Sequence, residues 1–289
     1  MTGIESDNRP CIENSEAIKQ SPILVVKVGG AEDVDLEKVC DDVAEIVKQG
    51  QRIVLVHGAS NETNTLSRQI GKPPIFVTSI SGIESRYTDR ETLEIFEMAA
   101  GKINKGIVEE LQKKGVNAVG LSGLDGRLLE GQRKEAIKVI EGGRRKILRD
   151  DYTGRVERVN TDLIQLLFDN GYTLVVSPLA VSYQGEAMNV DGDRAAAIIA
   201  SSLEADNLII LSNVPGLLED VSNPASLITR IPKDKLDDYE HLAKGRMRKK
   251  IMGAREALES GKVKRVILGD SRIDHPIIEA LSGRGTIIQ

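Results

Sequence analysis

Short apolar runs that break at glycine or a turn, each followed by a helical stretch, constrain this chain more than any other feature. The runs are "ILVVKV" at 23–28, "RIVLVHG" at 52–58, "NAVGLSG" at 117–123, "YTLVVSPLA" at 172–180, "NLIILSNVPG" at 207–216 and "VKRVILGD" at 263–270. Uniformly apolar strands of this length belong in a mainly parallel sheet buried on both faces. Between them the pattern predicts helices over about 34–49, ended by Gly50, and over about 60–70, ended by Pro73-Pro74. A long helix follows from an Asp89 N-cap to Lys113, and others lie over 161–170, "GDRAAAIIASSL" and "RMRKKIMGAREALESG", the last ended by Gly261. The expected fold is α/β, a three-layer αβα sandwich with a mainly parallel central sheet. Residues 126–156 alternate glycines, charges and β-prone pieces, and are expected to form projecting β-hairpins. Residues 1–20 are expected to be a polar N-terminal tail. Residues 21–175 and 176–289 form two lobes of a single domain sharing one sheet.

Composition narrows the function classes. With 289 residues and 40% hydrophobic content, a core can form without staples. Cys11 and Cys40 form no spaced metal pattern and there are only three histidines, so a structural zinc site is not expected. No apolar run approaches the roughly 20 residues needed to span a bilayer, and no signal peptide precedes the first strand, so a cytoplasmic protein is expected. A net charge of -5 gives little support to nucleic-acid binding. Basic charge is nevertheless concentrated: Arg127 to Arg149 holds eight basic against three acidic residues, and "KGRMRKK" spans 244–250. Such runs are ordinarily solvated surface, but two in an acidic chain leave room for an acidic partner.

The strand ends carry the candidate chemistry. Lys27 sits where a strand gives way to Gly29-Gly30. This is either a surface lysine before a turn, or an ammonium beside glycines that let backbone amides approach an anion. "IVLVHGAS" ends alike, with Ala59 and Ser60 opening a helix; two such ends carry more weight, because ligands of open α/β sheets gather at the carboxyl ends of strands. Neither matches GxxxxGK[ST] or GxGxxG. "NVDGDRAAA" offers Asn189, Asp191 and Asp193 before a helix. Those acids could hold a metal, orient an ammonium group or form a capping turn. Lys250 lies in the second basic segment, and together these groups would place two lysines and an aspartate around a transferring phosphoryl group.

"VVKVGGAE", "LVHGAS", "SRYTDRETLEIFEMA", "GLSGLDGR", "DYTGRVERVN", "MNVDGDRAA", "LSNVPGLL" and "GRMRKKIMGA" occur in an order that resembles the amino acid kinase family, from about residue 23 to the end. The resemblance is to its acetylglutamate kinase branch, and most to the subfamily acting on aminoadipate attached to an amino-group carrier protein. It implies that Lys27 and Lys250 neutralise the moving phosphoryl group and that Asp193 organises them. Gly29 and Gly30 would present amides to phosphates, with Ser212, Asn213, Gly216 and Met247 towards the nucleotide. Ala59 and Ser60 would meet the substrate, Arg86 its α-carboxylate, and Asn189 its amide-linked end. "HGAS" departs from the commoner "HGGG", which a backbone donor survives if φ at Ala59 is negative. Asn213 replaces a usual aspartate.

The resemblance further implies that the first lobe binds the acyl substrate and makes a homodimer contact through the long helix, while the second binds ATP. Mg2+ would arrive on ATP phosphates, with no protein metal site. A side-chain carboxylate would attack the γ-phosphorus, giving an acyl phosphate and ADP in lysine biosynthesis and, with glutamate on the carrier, in arginine biosynthesis as well. An ionised carboxylate needs no base, so His57 reads as a hydrogen-bonded strand-end residue. The implied partner is an acidic carrier bearing aminoadipate or glutamate, docking by the 127–149 projection with Arg144, Arg145 and Lys146. The competing reading is an N-acetylglutamate kinase. A non-catalytic sensor would lose one of Lys27, Asp193 or Lys250, and all three are present.

Overall fold

The computed structural model describes residues 21–80 and 82–289, so the expected tail at 1–20, with Cys11, lies outside the described residues. The chain runs through β1 (Ile23–Val28), α1 (Leu36–Lys48), β2 (Arg52–His57), α2 (Ser60–Gln69), β3 (Phe76–Ser79), β4 (Glu84–Arg86), α3 (Arg90–Lys113) and β5 (Ala118–Gly123). It continues through β6 (Leu129–Arg133), β7 (Ala136–Glu141), β8 (Arg144–Arg149), β9 (Gly154–Val159), α4 (Thr161–Asp169), β10 (Thr173–Ser182) and β11 (Ala187–Asn189). The last stretch holds α5 (Gly192–Ser202), β12 (Asn207–Ser212), β13 (Arg230–Ile231), α6 (Leu236–Tyr239), α7 (Arg246–Glu259), β14 (Arg265–Asp270), α8 (Pro276–Leu281) and β15 (Thr286–Ile288).

The main sheet has the order β13-β15-β14-β12-β1-β2-β10-β6-β9, with β5 and β11 also paired to β10. Its centre is parallel: β14, β12, β1, β2 and β10 run the same way. Residue 175 lies inside β10, whose Leu174, Val175 and Val176 pair with β2, so the sheet runs through this point without a break. Antiparallel pairing enters at the edges, where β15 meets β14 and β9 meets β6.

Alternation along the strands divides the core. Ile23 and Val25 face a layer made by α4, α5 and α7, including Ile164, Ala196, Ile199, Ile251 and Ala254. Leu24, Val26 and Val28 face α1, α3 and α8 through Val39, Val43, Ile107, Leu111 and Ile277. The helices start where side-chain acceptors answer their free amides: Asp35 accepts from Lys38 N at 3.2 Å, Asp89 from Thr92 N at 2.8 Å and Asn160 from Leu163 N at 3.1 Å.

The 126–156 segment behaves in two ways. β7 and β8 project and pair with β3 and β4 in a separate four-stranded sheet of order β4-β3-β7-β8. β6 and β9 instead extend the main sheet, because β10 is ten residues long and its far end, Val181 and Ser182, pairs with β6. β3, β4, β13 and β15 are short and lack the periodicity that marks the longer strands, so their sequences do not announce them.

Asp42 on α1 is fully buried and ties the last layer together. It accepts from the Ile277 and Ile278 amides at 2.6 and 3.2 Å and pairs with His275 Nδ1 at 2.9 Å. Asp42→Ala would strand the opening amides of α8 and is expected to cost about 2–3 kcal/mol. Chemical denaturation should register that loss while turnover stays within about twofold of wild type, since no strand-end group is touched.

Candidate active site

β1 is buried along its whole length, and Lys27 is 7% exposed within it. Alternation points Lys27 to the same side as Val25, beneath α5. A buried ammonium is tolerated only with a partner, and Asp193 Oδ1 stands 2.7 Å from its Nζ. Asp193 occupies the first turn of α5, which Asp191 caps by accepting from the Asp193 and Arg194 amides at 3.0 and 3.2 Å. Lys250 Nζ approaches the other side of the carboxylate, 3.3 Å from Oδ2.

A glycine makes that second approach possible. A Cβ on Gly253 would stand 3.1 Å from the Asp193 carbonyl oxygen, so its absence lets α7 lie close on α5. Lys250, one turn earlier, then reaches the carboxylate. Burial alone would raise the Asp193 carboxyl, but the charges of Lys27 and Lys250 override it and hold the group well below the usual carboxylate range. Lys250 is lowered, first by burial and then by the Lys27 charge. One carboxylate between two ammoniums leaves the cluster cationic.

Beyond Lys27 the two glycine loops meet backbone to backbone. A Cβ on Gly30 would fall 2.5 Å from Gly58 C, 2.6 Å from Ala59 N and 2.7 Å from Ser60 N. Gly29 N donates to Leu211 O at 3.2 Å, Gly58 N to Val28 O at 3.0 Å and Asn61 N to Gly30 O at 2.9 Å. Among the described residues no hydrogen-bond partner meets the amides of Gly30, Ala59 or Ser60. Ala59 has φ -135°, so alanine is unstrained at this position. These amides and the ammonium pair suit an anion.

The start of α7 adds to this. Its N-cap is Gly245 with no side-chain cap, its first turn holds no acid, and Arg246, Arg248, Lys249 and Lys250 crowd its opening residues. Cations at the positive end of a helix oppose its dipole, and a bound anion relieves both.

Arg86 lies against the first turn of α2. Its Nη2 donates to Asn64 Oδ1 at 2.7 Å and Ser60 O at 3.3 Å, while Phe76 stacks 5.1 Å from the guanidinium. Nη1 is buried, with no hydrogen-bond partner among the described residues. Burial, with the Arg68 charge adding, lowers this guanidinium from its ordinary value. Asn189 reaches the same region, donating through Nδ2 to Thr88 Oγ1 at 3.2 Å. Ser212 lies at the end of β12 and its carbonyl accepts from Ser271 N at 2.7 Å. Asn213 donates to Asp33 Oδ2 at 3.4 Å across the mouth of the β1 loop. Met247, in the first turn of α7, packs at the edge of the core. Gly216 stands apart from the lysine cluster, its Cα against Thr286.

Lys27, Asp193 and Lys250 therefore come together, as do Gly29, Gly30, Ala59 and Ser60, and Arg86 joins Ser60. Asn64, Thr88, Asp151 and Asn104 escape the sequence reading. Thr88 N donates to the buried Asp151 Oδ2 at 3.3 Å over 63 residues of chain, and no local pattern announces such a contact. His57 is fully buried, between Asn104 and the Gly58 carbonyl. Cys40 is buried and free, and burial pushes its thiol up to about 12, so it has no nucleophilic role. Among the described residues no helix is long and apolar enough to cross a membrane.

Residues 22–269 match the Amino acid kinase family. The chain is 54% identical over 267 residues to a [LysW]-aminoadipate kinase of Deinococcus radiodurans, covering 92% of this chain and 91% of that protein. It is 52% identical over 270 residues to a [LysW]-aminoadipate kinase of Thermus thermophilus, covering 92% of this chain and all of the other. Among solved structures, N-acetylglutamate synthase of Neisseria gonorrhoeae in complex with coenzyme A and N-acetyl-glutamate superposes with a TM-score of 0.76 at 25% identity over 96% of this chain. This chain spans 62% of that synthase's length.

Burial, reinforced by the Lys27 charge, pushes His57 down to about 4 from 6.5, while the Gly58 carbonyl opposes the shift. Below pH 6.5 the unfolded chain therefore takes up a proton that the native one refuses, and stability falls until about pH 4. The expected loss over this window is roughly 3 kcal/mol. His275, raised by Asp42, contributes with the opposite sign. The difference in urea stability between wild type and His57→Asn, followed from pH 7 to 4, isolates the His57 contribution and should shrink as pH falls.

Proposed function

The chain belongs to the amino acid kinase family and is an ATP-dependent kinase acting on a carboxylate, and we propose that its substrate is 2-aminoadipate held by its amino group on an acidic carrier protein. The observation that carries this reading is the basic and apolar face beside Arg86, together with the relatives at 54% and 52% identity, whose names give that activity. Phe76 and Ile140 lie on one face of the four-stranded sheet through the Thr78–Ile140 pairing, and Ile147 shares that face opposite Lys138. These three apolar side chains are 45%, 43% and 56% exposed. Arg145 stands opposite Ile140 and Arg149 opposite Ala136, so cations border the apolar strip. An exposed apolar strip edged by cations and leading to a substrate arginine suits an acidic protein that delivers its modified end to the cleft. Lys146 pairs with the buried Val139 and faces the other way. Arg145 and Lys138 are therefore the groups assigned to docking.

In the proposed reaction Arg86 Nη1 takes the α-carboxylate end of the substrate, Asn189 its amide-linked end, and the Ala59 and Ser60 amides the reacting carboxylate. ATP lies over the second half of the chain, residues 176–289, near Ser212, Asn213, Gly216 and Met247, with Gly29 and Gly30 at its phosphates. The acyl substrate lies over residues 21–175. A carboxylate oxygen attacks the γ-phosphorus in line, the bond to the bridging oxygen breaks, and its electron pair leaves with ADP. No proton moves, because the carboxylate is already ionised. Lys27 and Lys250 meet the charge on the transferring oxygens, and Asp193 holds both ammoniums in place. Among the described residues no three His, Cys, Asp or Glu side chains could hold a metal ion, and both Asp193 oxygens are engaged by lysines. In this reading magnesium enters on ATP phosphates. A homodimer through α3, a cytoplasmic location and a place in lysine biosynthesis complete the reading.

Glutamate on the same carrier, one methylene shorter, is a second substrate; that difference is worth only about 1 kcal/mol. It would place the enzyme in arginine biosynthesis as well. The alternative is a kinase of free N-acetylglutamate. Hydroxylamine trapping of the acyl phosphate decides among them: turnover is expected with the aminoadipate carrier and not with N-acetylglutamate. Turnover of N-acetylglutamate alone would overturn the carrier reading. Reversing Lys138 and Arg145 to glutamate should raise KM for the carrier about tenfold or more at low salt, with KM for ATP unchanged.

A further inference from the structure

His57 takes no part in the transfer chemistry, yet it is fully buried at the point where β2 opens into the substrate loop. Its ring spans two polar groups. Nε2 lies 3.2 Å from Asn104 Nδ2, and that amide nitrogen also donates to Val175 O at 3.0 Å and Leu121 O at 3.4 Å. Because Asn104 Nδ2 can only donate, His57 Nε2 accepts and the ring proton sits on Nδ1. Nδ1 then donates to the Gly58 carbonyl at 3.3 Å. Burial favours this neutral ring over its charged form.

The consequence follows from peptide geometry. In a planar trans peptide the carbonyl and the following N–H point in opposite directions. A Gly58 carbonyl drawn to the imidazole therefore turns the Ala59 N–H away from it, in the loop where Ala59 N and Ser60 N abut Gly30. The next residues continue directly into α2, so the peptide's orientation is passed to the first helical turn.

We infer that His57 is a positioning residue for phosphoryl transfer: Asn104 on α3 fixes its tautomer, and its Nδ1–H holds the Gly58 peptide so that the Ala59 amide faces the reacting carboxylate. This rests on the reading that the Ala59 amide meets the substrate. The role requires a donor at Nδ1, while Nε2 serves only to keep the ring aligned.

Two amide substitutions separate these parts. In His57→Asn the amide nitrogen can occupy the place of Nδ1, whereas in His57→Gln the terminal amide reaches the place of Nε2 and leaves the Gly58 carbonyl without its donor. The expected result is kcat within about threefold of wild type for His57→Asn, and a loss of roughly tenfold or more for His57→Gln, with KM for ATP unchanged in both. Equal kcat in the two variants, whether both kept or both lost, overturns the inference. If the wild type itself does not turn over the carrier substrate, the substrate reading has failed and not this one. The Ala59 amide resonance of the free protein then gives the answer, displaced in His57→Gln and near its wild-type position in His57→Asn; equal displacement overturns the inference. Should His57→Gln not fold, Asn104→Leu is expected to lower kcat at unchanged KM, and full kcat in that variant is the contrary result.

Discussion

A lysine buried in the central strand of a parallel sheet is the constraint on which the rest of the site depends. Lys27 can occupy β1 only because Asp193 answers its charge at 2.7 Å, and that contact requires the first turn of α5 to sit against the sheet. Small side chains on α5, including Ala195, Ala196 and Ala200, permit the close packing. Gly253 then brings α7 onto the same carboxylate with a second ammonium. Removing the carboxylate would leave two buried ammoniums without their counter-charge, which costs about 3–5 kcal/mol. Three elements far apart in sequence are thereby locked by one carboxylate.

The cluster also explains the electrostatic character of the cleft. Two ammoniums and one carboxylate leave a net positive charge in a poorly solvated place, and the uncapped start of α7 adds partial positive charge. The facing amides of Gly30, Ala59 and Ser60 extend the same polarity across two loops. Such an arrangement favours a group whose negative charge is spread over several oxygens. In the proposed reaction that group is the phosphoryl in transit, and the protein supplies fixed donors with no nucleophile of its own.

Much of this was legible in the sequence because it is local. The parallel sheet follows from apolar runs separated by helices, and Lys27, Gly29 and Gly30 stand out because a lysine and then two glycines interrupt an otherwise apolar strand. Asp193 and Lys250 are tied to them through the family resemblance, whereas their meeting is a tertiary fact that depends on Gly253. Contacts such as Thr88 with Asp151, Arg86 with Asn64 and His57 with Asn104 join segments whose local sequences carry no trace of the partner. The short strands β3, β4, β13 and β15 were hidden for a related reason: two to four residues are too few for periodicity to register. Arg145 and Lys146 read alike in the sequence, and the register of β7 with β8 places Arg145 on the face of Ile140 and Lys146 on the face of Val139.

The central claim is that Asp193 acts through the two lysines and not on the substrate. Single-turnover rates of acyl phosphate formation should be compared for the Lys27→Met/Lys250→Met variant and for the same variant with Asp193→Asn added. If the aspartate serves only to hold the two lysines, the triple variant should fall within about threefold of the lysine pair alone. A further large loss on adding Asp193→Asn would give Asp193 an independent role in the transfer and contradict the account.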